Sequence, residues 1–226
     1  VKISNESLAI GIPLTFPFVP ASFFYSFLKM QRPDFTLIHS DNGPIDTLRN
    51  DLVDNALLID ATHLIMMDTD QVYPVDTIPK LMAHRLPVVA GLVHRRYPPF
   101  DPILLAGRPG EYYELEDWKY GDLVDVSATG AGCIMYEMDV FRRMPRPWFK
   151  FGKVEGTGEG IGEDVGFCID LKAAGYKIFV DTSIECGHLT TLCVNRQTHQ
   201  LYRSMKIKEY KDKLGVALQG DVAANL

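Results

Sequence analysis

The chain has 226 residues, 46% hydrophobic and 11% aromatic, with a formal net charge of -6. That length supports one sizeable buried core and does not demand a second. Charges of both signs are scattered with no basic block, which excludes the electrostatic footprint of a nucleic-acid-binding protein.

The uncharged stretch from Leu8 to Leu28 is long enough to span a bilayer. Pro13, Pro17 and Pro20 would break a helix in its first half, so a buried strand, a loop and a helix start are expected instead of a transmembrane segment. No basic segment precedes it, which speaks against a signal peptide. From residue 8 to residue 92 short apolar runs alternate with amphipathic stretches of helical length, the pattern of a parallel sheet with crossover helices. Strands are predicted at Leu8 to Ile12, Phe35 to His39, His63 to Met67 and Pro87 to Leu92. Helices fit near Ala21 to Met30, Thr47 to Leu58 and Val75 to His84.

Tyr97 to Trp118, rich in Pro, Gly and aromatic residues, predicts a long loop with one hairpin and an acceptor-binding or lid role. A strand at Leu123 to Ser127, a Gly-rich turn, a strand at Cys133 to Tyr136 and a helix at Met138 to Met144 follow. After the flexible run Gly156 to Gly162, an amphipathic helix ends at Gly175, and Ile178 to Asp181 is the last clear strand. Beyond residue 190 a polar extension is expected, with Lys206 to Lys213 as a helix candidate. Cys133, Cys168, Cys186 and Cys193 lie in a chain too long to need disulfide stapling, which predicts a reducing, cytoplasmic setting. Cys186, His188, Cys193 and His199 match no common zinc spacing.

The strongest chemical signal is the apolar strand Leu64-Ile65-Met66-Met67, which delivers Asp68 and Asp70 at its carboxyl end. In open α/β sheets ligands bind there, and two carboxylates so close favour a cation between them. Oxygen ligands select Mg²⁺ or Mn²⁺. The plain alternative is a cap pair for the helix that follows. Glu163 and Asp164 open the later helix; they are either caps stabilised by its dipole or, for Asp164, a general base. Ser127 to Gly132 is a small-residue turn that a ligand can approach closely, or simply a tight connection. His188, after the last strand, is a metal ligand if carboxylates converge on it and a structural histidine otherwise.

These features in this order resemble the GT-A glycosyltransferases, particularly family-2-like bacterial and viral members. The resemblance covers roughly residues 8 to 190. It rests on Asp68-Thr69-Asp70, on Thr129-Gly130-Ala131-Gly132, on Gly162-Glu163-Asp164 with the following helix, and on His188. It implies a Rossmann-like fold, with a mixed, mainly parallel sheet flanked by helices, in a single catalytic domain over residues 1 to 190, with an extension over 191 to 226. It also implies a nucleotide-sugar donor, UDP in preference to GDP, and a glycan or other hydroxyl acceptor. Asp70 and His188 would bind the metal, and Asp68 the donor ribose or a metal-bound water. Pro13 and Asp41 would border the base, with Arg49 near the ribose or phosphates. The Gly162-Glu163-Asp164 motif would be catalytic, with Asp164 deprotonating the acceptor for inversion. One departure is Ser40-Asp41-Asn42-Gly43, which offers one carboxylate where the family has two. His94, Arg95 and Arg96 either meet donor phosphates or an acidic acceptor, or form a solvated rim.

Two other classes share some of these features. A haloacid-dehalogenase-like phosphatase also ends a strand with Asp-x-Asp and uses Mg²⁺, but places the pair on an early strand and continues with Thr where this chain has Val72. A nucleotide- or glycan-binding domain without turnover is the non-enzyme alternative.

Overall fold

The computed structural model describes residues 6–204 except Asn42, Glu155 and Leu192, so the helix candidate from Lys206 to Lys213 lies outside the described residues. In chain order the elements are β1 (Leu8–Pro13), α1 (Ala21–Lys29), β2 (Phe35–Ser40), α2 (Ile45–Leu58), β3 (His63–Met67), β4 (Gln71–Val72) and α3 (Thr77–His84). Then come β5 (Val88–Leu92), β6 (Leu105–Ala106), β7 (Tyr113–Glu114), β8 (Leu123–Val126), β9 (Cys133–Glu137) and α4 (Met138–Arg143). The last are β10 (Gly152–Lys153), β11 (Gly160–Ile161), α5 (Glu163–Ala173), β12 (Ile178–Glu185) and β13 (Gly187–His188).

Seven strands form one sheet in the order β2-β1-β3-β9-β5-β12-β8. β2, β1 and β3 pair in parallel, as do β5 and β12, while β9 is antiparallel to both β3 and β5 and β8 is antiparallel to β12. The expected mixed, mainly parallel α/β sheet flanked by helices is the fold observed.

The near-continuous apolar strands follow from burial on both faces. Side chains alternate along each strand, so Leu64 and Met66 enter one core and Ile65 and Met67 the other. Ile134 and Tyr136 join the first core, whereas Cys133 and Met135 join the second. The first core continues into Leu52 and Ala56 of α2, Phe141 of α4 and Phe167 of α5, and the second into Phe23 of α1 and Ile78 and Leu81 of α3. Leu48, Leu52 and Ala56 recur every fourth residue and form the buried stripe of α2. That stripe lies against Gly11, where an added Cβ would come within 3.3 Å of Leu52 and 3.1 Å of Leu64.

The strand from Ile178 runs on to Glu185 through a register shift after Asp181, and four two-residue strands, β4, β10, β11 and β13, join the predicted set. The predicted hairpin within Tyr97 to Trp118 is β6 paired with β7. No described helix is long and apolar enough to cross a membrane, and Leu8 to Leu28 splits into β1, a loop and α1.

Contacts divide the chain after Leu189 into two compact units, the first holding the whole sheet and α1 to α5. In the second, residues 196–204 are helical. Asn195 caps them, its side-chain oxygen accepting from the Gln197 and Thr198 amides at 2.9 and 3.1 Å.

Candidate functional site

The topology brings distant segments to one edge of the sheet. β3 ends there at Met67, and β9, running the other way, begins there at Cys133, which is the register partner of Met67. The Thr129 to Gly132 turn therefore sits beside Asp68, whose amide donates to the Gly132 carbonyl at 3.0 Å. A helix that follows a parallel strand starts at the strand's carboxyl edge, so the opening turns of α2 lie at the same edge. β13 pairs with β4 with His188 opposite Gln71, which carries the imidazole to Asp70.

Arg49 ties three of these segments together. Its Nη2 meets Asp68 Oδ2 at 3.0 Å, its Nε meets Glu163 Oε1 at 3.1 Å, and its Nη1 donates to the Ala131 carbonyl at 3.3 Å. The guanidinium side chain is only 4% exposed and its hydrogen bonds go to protein, where the resemblance implies a place near a donor ribose or phosphate. The charged residue on the buried stripe of α2 demanded partners, and Asp68 and Glu163 supply them. Burial raises the Asp68 carboxyl above the ordinary range against the pull of Arg49. Burial and the neighbouring Asp164 charge likewise raise Glu163, again against Arg49.

Glu163 is thus buried in an ion pair with Arg49. Asp164 differs. Its Oδ1 accepts from the Val165 amide at 2.7 Å and lies 2.9 Å from where a Cβ on Gly162 would be. Its Oδ2 lies 3.7 Å from the corresponding position on Gly130. The carboxylate therefore stands between the amino end of α5 and the glycine turn. Neither Asp68 nor Asp70 caps a helix, because β4 intervenes and α3 begins only at Thr77.

The second centre is Asp70 with His188. His188 Nε2 is 3.3 Å from Asp70 Oδ2, and its Nδ1 is 2.6 Å from the His94 carbonyl. A carbonyl can only accept, so Nδ1 carries a hydrogen. In the neutral ring Nε2 is then a lone pair facing a carboxylate oxygen, and two acceptors that close require a proton or a metal ion between them. Without metal the proton is favoured: burial, the largest single effect, lowers the His188 pKa, but the Asp70 hydrogen bond and charge together with the His94 carbonyl outweigh it and the pKa is raised. Burial likewise raises Asp70, and the hydrogen bond and charge of His188, with Arg96, outweigh it, so its pKa is lowered.

The expected trio of Asp68, Asp70 and His188 does not converge. Among the described residues no three His, Cys, Asp or Glu side chains gather as a metal set, because Arg49 draws the Asp68 Oδ2 inward. The Asp68 Oδ1 is buried without a hydrogen-bond partner, as is Gln71 Oε1. Gln71, only 2% exposed, has its Nε2 2.8 Å from where a Cβ on Gly132 would be. Tyr73 donates to the carbonyls of Asp68 and Gly132, each at 2.7 Å, and clamps the two turns. Sequence reasoning missed Gln71 and Tyr73; the only signal was their closeness to the paired aspartates.

The remaining expected residues are spread around this edge. Pro13 is buried at the end of β1 beside Ser40, while Asp41 is exposed. Arg96 meets Asp70 at 3.0 Å, and Arg95 meets Glu114 at 3.2 Å. Thr129 is buried, its hydroxyl donating to the Ile103 carbonyl at 2.8 Å, and its own carbonyl receives Cys168 Sγ at 3.7 Å. A cavity of about 480 Å³ opens beside Gly162 and Val165.

No protein-family profile matches the chain, and no curated protein matches it. Solved structures do. A197 from STIV superposes with a TM-score of 0.56 at 18% identity, covering 84% of this chain and 97% of that one. GalNAc-T7, solved with UDP, GalNAc and Mn²⁺, superposes with a TM-score of 0.52 at 12% identity over 82% of this chain. The fold is glycosyltransferase-like. The match spans 43% of the GalNAc-T7 chain, and at such identities both likenesses speak for the fold alone.

Proposed function

We propose that the chain is a metal-dependent, GT-A type glycosyltransferase of the family-2-like kind, moving a sugar from a nucleoside diphosphate, UDP in preference to GDP, to an acceptor hydroxyl. The observation that carries this reading is the His188 imidazole, fixed by the His94 carbonyl so that Nε2 faces Asp70 at 3.3 Å. A divalent ion fits between these two groups. Mn²⁺ or Mg²⁺ commonly takes few protein ligands and fills the rest of its sphere with water and substrate phosphates. When bound, it would neutralise charge on the departing diphosphate.

The protein's own groups supply the rest. Asp70 and His188 hold the ion, while Arg49 fixes Asp68 and Glu163 so that the two turns keep their spacing. Pro13 and Asp41 lie at the neighbouring ends of β1 and β2, where a base would rest. The Gly130 to Gly132 turn packs its backbone closely against Gln71 and the acidic residues: an added Cβ would stand 2.8 Å from Gln71 and 3.3 Å from Asp68 at Gly132, and 3.7 Å from Asp164 at Gly130. Asp164, between that turn and the amino end of α5, takes the acceptor proton as its oxygen attacks, with inversion at the anomeric carbon. GalNAc-T7, which shares the fold, was solved with UDP and Mn²⁺, the donor class and metal proposed here.

Calorimetric titration with UDP, with and without Mn²⁺, tests the reading. Affinity is expected only with the metal, weakened about tenfold or more in Asp70→Asn, with protons released as the ion displaces the one on His188. Asp164→Asn is expected to keep UDP affinity and lose transfer. Metal-independent affinity that survives Asp70→Asn would contradict the proposal.

A further inference from the structure

We infer that the cavity beside the amino end of α5 receives an uncharged saccharide ring as acceptor; this rests on the transferase reading and adds the acceptor's class to it. The cavity, about 480 Å³, is of the size of small-molecule sites, roughly 300–1,000 Å³, with space for about one or two sugar rings. One wall comes from the β6–β7 hairpin, with Leu105, Tyr112 and Tyr113, and the facing wall from Val154 and Ile161 on the β10–β11 ribbon. The walls touch: a Cβ on Gly110 would stand 2.7 Å from Val154 Cγ1, and that glycine also has φ of +81°. Only glycine allows this closure.

The lining is amphipathic in the way a pyranose is. Tyrosine rings and aliphatic side chains suit the C–H face of a sugar, and carboxylates at the rim accept from its hydroxyls. Tyr113 is 61% exposed, so its ring is open to a ligand. The charges select against anions. Arg95 is matched by Glu114 at 3.2 Å, and the one further charged residue of the lining, Glu159, is a carboxylate. Asp164, just beyond Gly162, adds to the negative field, so an acceptor bearing carboxylate or phosphate meets like charge. In the step itself the acceptor oxygen forms the bond to the anomeric carbon. The bond from that carbon to the diphosphate breaks with its electron pair, and the hydroxyl proton passes to Asp164.

The test is saturation-transfer NMR on the full chain with UDP and Mn²⁺ present, using methyl glycosides of the common hexoses, the matching methyl uronides and a Ser/Thr peptide. At least one neutral glycoside is expected to bind about fivefold or more better than its uronide. Tyr113→Ala should weaken the neutral probe, and Glu159→Lys should narrow the gap to the uronide; both positions are exposed, so folding is preserved. Equal or better binding of the uronide or the peptide overturns the inference, as does indifference of the preferred glycoside to both substitutions. UDP titration of the same samples separates the two readings. Retained metal-dependent UDP affinity with no sugar bound sinks only the acceptor assignment, whereas loss of that affinity sinks the transferase reading.

Discussion

Replacing Arg49 by Met would leave Asp68 and Glu163 as partly buried carboxylates without their counter-ion. Removing one partner of a buried pair costs about 3–5 kcal/mol, far more than the pair contributes over an apolar replacement of both sides. Arg49→Met is therefore expected to lower the urea midpoint strongly, and Arg49→Lys to recover only part, since an ammonium cannot reproduce the fork to two carboxylates and a carbonyl. A loss below about 1 kcal/mol in Arg49→Met would show that the pair is not what joins these segments. Gly132→Ala probes the same edge from the other side. Its methyl would stand 2.8 Å from Gln71 Nε2 and 3.3 Å from Asp68 Oδ2. The Gln71 amide must shift, so metal-dependent UDP affinity should fall while the melting temperature moves little. Asp68, Asp70, Asp164 and His188 were legible as candidates from their positions after strands and a glycine run. The fate of Arg49 and Glu163 was not, because burial of a charge depends on partners 114 residues apart in sequence.

At the scale of elements the strands of the large sheet and all five named helices lie close to where periodicity puts them. Two-sided burial makes the strands continuous apolar runs, and that signal is local. The two-residue strands β4, β10, β11 and β13 escaped because such short pairings are defined by the partner and carry no period of their own. One of them, β13, is what delivers His188. The far side of the sheet offers a separate test, where His84, the last residue of α3, meets Asp181 of β12 at 2.8 Å. Burial raises the Asp181 carboxyl, but hydrogen bonds from His84 and the Ser183 amide outweigh it and hold its pKa below the ordinary value. The unfolded chain then binds the proton more readily. The contribution to stability is full above the unfolded carboxylate pKa of about 3.9 and is lost as pH falls through the lowered folded value. Urea midpoints measured from pH 6 downward should therefore drop less steeply in Asp181→Asn; an unchanged slope would show that this group does not contribute.

For the molecule as a whole, both hydrophobic cores and all seven strands of the large sheet belong to the unit that ends at Leu189. A fragment of residues 1 to 190 is expected to fold by itself, with a single cooperative urea transition and strand-containing circular dichroism. A broad or absent transition would place part of the folding unit beyond residue 190. By itself the sequence determined the α/β class, the order of the main elements and the edge where acidic residues collect, because these follow from hydrophobic period and from where turns interrupt it. Only the tertiary structure decided that Asp68 turns to Arg49 while Asp70 turns to His188, and that a cavity opens beside Gly162 and Val165. Those outcomes depend on which side chains from remote segments compete for the same partner, and pairing energies at a few ångströms are set by geometry that no local pattern encodes.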